Sequence, residues 1–448
     1  MQLTVENMPW KKYRRLASRP SDIGLQYNRS CPMCCDASSS ALSSASPSAP
    51  VSAAPEPPPD KTLLSIDDFQ FYEDLDGKNR VVHRIVACGG CGFVYTNPCY
   101  TPEGFARLFE KAGKSYGHSE GRCQEQAAWL QQHVLDIESV LDIGCGSGAF
   151  LKALPRGVQR YGIDIDSGSI DYADEENTGI HFSLGDFSSA FSPHGANHNA
   201  IPDVAVITLF HVLEHLPDPK KTLVNLRAQC RDNASLVVEV PVIDRAAAEQ
   251  NKDIVGFYTI QHLSHFSKAS LHAMLACSGW QVTFSEDIRD YNGYRVLAVA
   301  GGAVSETVSN PARQRDMAAT HDYLAQWRNN VTQVDGTLAS LYASLATETN
   351  IIIWGAGQHT EYLCHLSRIF NNTRRFIIVD SDPLKQGTAF HGIAVLAPDA
   401  IPQQLWCTGK EPIVISSFGG QPQIVQQLLQ RGVAPSRIIS LYTKPNVY

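Results

Sequence analysis

Three groups of residues carry types and spacings that could do chemistry. In the stretch Ser139–Gly148, Asp142, Gly144, Gly146 and Gly148 alternate strictly with other residues. Val140, Leu141 and Ile143 read as a buried strand, and Ala149, Phe150, Leu151 and Leu154 begin a helical apolar pattern. A strand that breaks into glycine backbone and feeds a helix lets a ligand approach closely, and the helix N-terminus offers it unpaired N–H groups. The spacing is not the G-x-G-x-x-G of dinucleotide turns. Asp164 ends a second apolar run beginning at Arg160, where a sheet of this kind puts an acid for two ribose hydroxyls.

The second group is cysteine. Cys31-Pro-Met-Cys34 and Cys88-Gly-Gly-Cys91 are two C-x2-C knuckles, and four thiolates on two tight turns suit a closed, structural tetrahedral zinc. The tract 37–59 between them is almost wholly Ser, Ala and Pro, a composition that builds no core and accounts for the long gap. The third group is histidine, in His211-Val-Leu-Glu214-His215-Leu-Pro-Asp218 and in Gln261-His262-Leu-Ser-His265-Phe266-Ser267. Imidazoles titrate near neutrality, at about 6.5, so these side chains are candidate bases.

The elements that must position these groups are those of an α/β protein. Further strands read at Ile180–Leu184, Asp203–Phe210, Leu236–Val240, 281–285 and 294–300. Residues 302–348 read as a bridging helical pair, and Gly355-Ala-Gly357 opens a second strand–turn–helix, followed by a strand ending in Asp380. In that unit Thr360 stands where a dinucleotide fingerprint needs its third glycine. The predicted organisation is a zinc-ribbon and cap region over 1–121, a central domain over 122–301, a helical linker over 302–349 and a C-terminal Rossmann-like domain over 350–448.

Composition narrows the function classes. The chain has 448 residues, 43% hydrophobic and 18% charged, with a net charge of −8. That length suits two or three domains. Its basic clusters are Lys11-Lys12 and Arg14-Arg15, too little for a nucleic-acid footprint. No apolar run is long enough to span a bilayer, and residues 10–15 are basic and polar where a signal peptide needs an apolar core. The expectation is a cytoplasmic protein whose 12 cysteines are thiols or metal ligands.

Asp142-x-Gly144-x-Gly146-x-Gly148 resembles motif I of the class I methyltransferases that use S-adenosylmethionine (SAM). Asp164, Gly185-Asp186-Phe187 and the block from Phe210-His211 follow in the order of that family. The resemblance implies a seven-stranded Rossmann-like sheet. It also implies a cofactor set of Asp142, Gly144, Cys145, Gly146, Gly148, Asp164, Ile165, Asp186, Phe187, Phe210 and His211. The cysteine knuckles followed by Tyr95-Thr-Asn97-Pro98 and a helix resemble the front of the sugar C-methyltransferase group, which implies that Tyr116 faces the acceptor. Asp380-Ser-Asp382-Pro-Leu-Lys385-Gln-Gly387 resembles the C-terminal domain of the same group.

That group carries His-Glu-His-Leu-x-Tyr-Phe-Ser before a helix, with the second histidine as base. His262 matches that histidine, while Gln261 replaces the glutamate and His265 the tyrosine. The implied function is methyl transfer to a carbon next to a ketone of a nucleotide sugar or related metabolite. His262 would be the base, with His265, Tyr116 and His215 as helpers. With no neighbouring carboxylate at Gln261, the rate is expected to rise through a pKa near neutral. Transfer to oxygen or nitrogen of a small metabolite or glycan, or a non-catalytic nucleotide-binding scaffold, are the alternatives.

Overall fold

The computed structural model describes residues 3–12, 25–34, 59–70, 80–109, 120–176, 179–185, 203–248, 253–301, 310–370 and 374–442. Tyr116, Asp186, Phe187 and residues 37–58 of the Ser/Ala/Pro tract 37–59 lie outside these residues.

The N-terminal part contributes β1 (Lys11–Lys12), β2 (Gln26–Tyr27), β3 (Lys61–Gln70), β4 (Arg80–Ala87), β5 (Val94–Thr96) and β6 (Cys99–Tyr100). The central part adds β7 (Ser139–Ile143), β8 (Gln159–Asp164), β9 (His181–Leu184), β10 (Val206–Phe210) and β11 (Ser235–Val240). It continues with β12 (Ser264–His265), β13 (Trp280–Asp287) and β14 (Tyr294–Ala300). Its sheet has seven strands in the order β13-β14-β11-β10-β7-β8-β9. The five strands from β11 to β9 are parallel, and β14 and β13 close the edge antiparallel. Strand order reverses between β7 and β10, so a crevice opens at their C-terminal ends, where open α/β sheets bind ligands. Val140, Val206, Ile207 and Leu209 are fully buried, as continuous apolar runs must be in a sheet covered on both faces.

β12 does not join that sheet. It pairs with β5 and completes a four-stranded sheet in the order β12-β5-β4-β3. The histidine-bearing segment is therefore held by a strand from the cysteine-rich part of the chain.

Residues 310–344 form one continuous helix, Asn310–Ser344, rather than a helical pair. It runs through Gly336, at a helix-propensity cost of about 1 kcal/mol relative to alanine. The packing of Tyr323, Trp327, Val334 and Leu338 into the core offsets that cost. Beyond it, β15 (Ile351–Trp354), β16 (Arg375–Val379), β17 (Ala389–Phe390), β18 (Ile393–Leu396), β19 (Ile413–Ile415) and β20 (Ile438–Ser440) form a second sheet. Its order is β17-β18-β16-β15-β19-β20, with β1 paired antiparallel to β16. Among the described residues no helix is long and apolar enough to cross a membrane.

Candidate active site

The glycine loop leaves β7 at the crevice. Gly144, Gly146 and Gly148 all have positive φ, a region that side chains with a Cβ avoid. At Gly144 an added Cβ would stand 2.4 Å from Val212 Cγ2, so this glycine lets the chain after β10 pack against the loop. At Gly146 an added Cβ meets nothing within 4 Å. That loop faces open space.

Asp164, at the end of β8, braces the loop. Its Oδ2 accepts the Gly146 N–H at 2.8 Å and its Oδ1 accepts the Asp166 N–H at 2.9 Å. Burial raises its pKa against the pull of those N–H groups. Each oxygen keeps a further lone pair for a ligand hydroxyl. Asp142 is buried beneath the loop, and Thr208 Oγ1 donates to its Oδ1 at 2.7 Å. Burial pushes its pKa up to about 7, with the Thr208 hydrogen bond opposing and the Asp164 charge adding. Phe210 packs edge-on against Phe150 at 4.8 Å, Cys145 is buried, and Ile165 is partly buried.

His211 follows β10 in the left-handed region, with φ of 55°. Its ring turns into a buried charge network, an arrangement the expected cofactor role did not include. Its Nε2–H donates to Glu239 Oε1 at 3.0 Å, and its Nδ1 lies 3.4 Å from Glu214 Oε1. Glu239 is fully buried and also accepts from Gln126 Nε2 (3.3 Å), Tyr291 Oη (2.5 Å) and Arg295 Nε (2.6 Å). Arg295 turns its fork to Glu125 at 2.9 and 2.7 Å. Burial favours neutral His211, but Glu214 and Glu239 together hold its pKa up to about 9. Burial likewise opposes ionisation of Glu239, and its contacts with His211, Arg295 and Tyr291 pull it down to about 2.

The structure brings His215, His262 and His265 together. The rings of His215 and His262 are 5.0 Å apart, and those of His262 and His265 6.4 Å. The segment is fastened from the N-terminal part. Thr96 Oγ1 donates to the His262 carbonyl at 2.9 Å, and Arg29 donates to the carbonyls of Thr96, Pro217 and Leu263. His215 Nδ1 faces the Gln261 carbonyl at 2.9 Å, and His262 Nδ1 faces the Phe257 carbonyl at 3.3 Å. A carbonyl can only accept, so both rings carry their proton on Nδ1 and leave the Nε2 lone pair free for other work. Burial, followed by the neighbouring His215 and His211, pushes the His262 pKa well below its usual value, not to near neutrality as the replacement of glutamate by Gln261 suggested. His265 is more deeply enclosed, against Tyr258 at 4.8 Å, with burial also driving its pKa well down.

Glu214, Glu239 and Arg295 were not singled out from the sequence for the site. The available signal was a charge inside each of two apolar strands, Leu236–Val240 and Tyr294–Ala300. Glu239 and Arg295 are cross-strand neighbours in the β11–β14 ladder.

Away from the crevice, the four knuckle sulfurs lie within 4.8 Å of one another, with Cys31–Cys91 and Cys34–Cys88 both at 3.6 Å. Four sulfurs bound at ~2.3 Å to a tetrahedral zinc stand ~3.8 Å apart, so this donor set fits that ion.

Residues 98–284 match the family model of a methyltransferase domain, a span that takes in the glycine loop, Asp164 and all four site histidines. The chain carries a methyltransferase domain over these residues. Solved structures that resemble this domain include a SAM-dependent methyltransferase from Clostridium acetobutylicum (11% identity, 45% of this chain and 99% of that one, TM-score 0.33). Another is the magnesium protoporphyrin IX methyltransferase from Synechocystis with bound S-adenosylhomocysteine (16% identity, 44% and 88%, TM-score 0.32). A third is mitomycin 7-O-methyltransferase (21% identity, 44% and 57%, TM-score 0.34). No curated protein matches the sequence. The open space over Gly146, with the carboxylate of Asp164 beside it, leaves room for a ligand at this loop.

Proposed function

We propose that the enzyme methylates a small-molecule acceptor at a carbon next to a ketone, on a nucleotide-linked sugar or a related metabolite, with His262 as the base. The observation that carries this reading is the His262 Nε2 lone pair, freed by the Nδ1 contact with the Phe257 carbonyl, on a ring that lies 5.0 Å from that of His215 and has a nitrogen within 4.8 Å of a Glu214 carboxylate oxygen. SAM supplies an already activated methyl group, so the protein must bind, align and deprotonate. In this reading Asp164 and the Gly144–Gly148 loop hold SAM, with Asp186 and Phe187 on the adenine. His262 stays unprotonated near neutral pH, and the Glu214 carboxylate stabilises the imidazolium formed when it takes the acceptor's proton. His215 orients the acceptor, Tyr116 faces it, and His265 supports the segment through Thr96.

The same reading assigns a structural zinc to Cys31, Cys34, Cys88 and Cys91, a Rossmann-like fold to the C-terminal sheet, and a cytoplasmic location that keeps these thiols reduced. Metal analysis of protein purified without added zinc should return one zinc per chain, and a strong chelator should unfold the ribbon. Zinc-free protein with an unchanged thermal transition would remove the assignment.

The functional test is single-turnover methyl transfer with nucleoside-diphosphate keto-sugars, the position of the new methyl being read by NMR. His262→Asn should keep SAM affinity while slowing the chemical step by roughly 10²–10⁴. A new methyl on oxygen, or an undiminished step in the variant, would overturn the carbon-acceptor or base assignment respectively.

A further inference from the structure

Glu214, on the short turn of helix after β10, is an unusual buried carboxylate. Its side chain is 1% exposed, and neither carboxylate oxygen has a hydrogen-bond partner among the described residues. Leaving a buried charge without hydrogen bonds is expensive, and His211 answers this in part through an ionic contact at 3.4 Å from Oε1. Its hydrogen bond goes to Glu239 instead. One carboxylate oxygen of Glu214 and one ring nitrogen each of His215 and His262 all lie within 4.8 Å of one another, and His215 Nε2 is 3.9 Å from Oε1.

Both imidazoles are arranged as metal ligands are. Each directs Nδ1 to a backbone carbonyl, which fixes the tautomer and aims the Nε2 lone pair outward. Two imidazoles and one carboxylate are a donor set that suits zinc and its neighbours in the first transition row, with remaining positions open to solvent or ligand. Donors bound at ~2.0–2.1 Å to one tetrahedral ion stand ~3.3 Å apart, so these atoms must close by up to ~1.5 Å on binding. The other His/Glu group is different. Glu361 already accepts from Gln70 N and His365 Nε2 through one oxygen and from His391 Nε2 through the other, so it forms a satisfied structural network.

We infer that Glu214, His215 and His262 form a second metal site, separate from the cysteine ribbon, which takes a divalent transition cation of the zinc type and arrests methyl transfer while it is occupied. Binding follows from the three donors alone. The arrest rests on the reading of His262 as base, since a metal on Nε2 occupies the lone pair that would accept the proton. No electrons move: the ion displaces water from its own shell and leaves unchanged on chelation.

The test uses the full chain with its cysteine zinc retained, titrated with Co²⁺ and followed by absorption. The expected result is one further equivalent with the d–d bands of nitrogen and oxygen ligation and no thiolate charge transfer. Glu214→Gln and His215→Asn should each weaken that equivalent by more than ~100-fold, beyond the roughly 10–100-fold that loss of an outer-shell partner causes. Methyl transfer to the keto-sugar should fall in step with occupancy and return with a weak chelator that spares the ribbon. The site is overturned if wild-type protein takes no metal beyond its cysteines, or if both variants bind as wild type does. Metal that binds at these residues while turnover is unchanged overturns the arrest, and with it the role of His262 as base.

Discussion

The two glycine turns of this chain are built on one skeleton and finished in opposite ways. At the end of β8, Asp164 accepts N–H groups from Gly146 and from Asp166. At the end of β16, Asp380 accepts N–H groups from Ala356 (2.7 Å) and from Asp382 (2.9 Å) in the same pattern. The difference lies over the loop. The first glycines, Gly144 and Gly355, are equally crowded, an added Cβ standing 2.4 Å from Val212 Cγ2 and from the Ser416 carbonyl oxygen respectively; but the residue whose N–H the acid accepts is Gly146 in the first unit, where an added Cβ meets nothing within 4 Å, and the fully buried Ala356 in the second. The helix after Gly357 opens with His359 and Thr360, both buried and both bonded to Ser416 Oγ, at 3.0 and 2.7 Å, with His359 also meeting Tyr442 Oη at 2.6 Å. The acid at the strand end is thus a brace for its own loop in both units. What differs is the residue that acid holds, a glycine left open in one turn and a packed alanine in the other.

The largest expected effect breaks the second unit. Gly355→Ala forces a side chain into φ of +125° against a backbone carbonyl, and should destabilise the C-terminal sheet by on the order of 3 kcal/mol while SAM affinity holds. Denaturant unfolding paired with calorimetry of SAM binding checks it, and a variant as stable as wild type would mean the turn is not packed as described.

Next comes the pair of acids. Asp164→Ala should weaken SAM binding by roughly 10- to 150-fold, the loss of about 1.5–3 kcal/mol that hydrogen bonds to a charged group contribute. Asp380→Ala should leave SAM affinity within error. Equal losses in calorimetry would erase the distinction between the two turns.

The smallest effect concerns a residue that one unit has and the other lacks. Asp142 stands two places before its first glycine, where the second unit has Ile353. The folded pKa of Asp142 is raised from 3.8 to about 7, so between those values the folded state holds a proton that the unfolded chain has released. Stability without cofactor therefore falls as pH rises through that window, by up to ~1.4 kcal/mol per pH unit, and the contribution is whole below it. Asp142→Asn, which keeps an acceptor for Thr208, should flatten that part of the profile. An unchanged slope in urea titrations from pH 4 to 8 would show that Asp142 ionises freely.

Local patterns made much of this legible from sequence. The glycine loop, the strand-end acids, the knuckles and the histidine segment are contiguous, and their spacing alone points to turns and termini. What escaped depended on distant pairing. The charge of Glu239 was visible inside an apolar strand, but its partner Arg295 is fixed by the register of β11 on β14. Glu214 is next to His215 in the sequence, and its isolation appears only once β10 and residues 257–263 are folded together. The helix Asn310–Ser344 looked like two because its apolar residues form two clusters either side of Gly336, a break that tertiary packing overrides.

The placement of β12 in the sheet of β5, β4 and β3 has a consequence for how this enzyme can be cut. The segment matched by the family model begins at residue 98, two residues beyond the end of β5. A fragment trimmed to that boundary would lose the strand on which Ser264 and His265 hang, the Thr96 bond to the His262 carbonyl and the three carbonyl contacts of Arg29. Its remaining edge would be an unpaired two-residue strand, too short to hold its shape. Recombinant work that treats 98–284 as a portable module would therefore yield a protein able to present the glycine loop but with its histidines adrift. The smallest transplantable unit starts no later than Arg29.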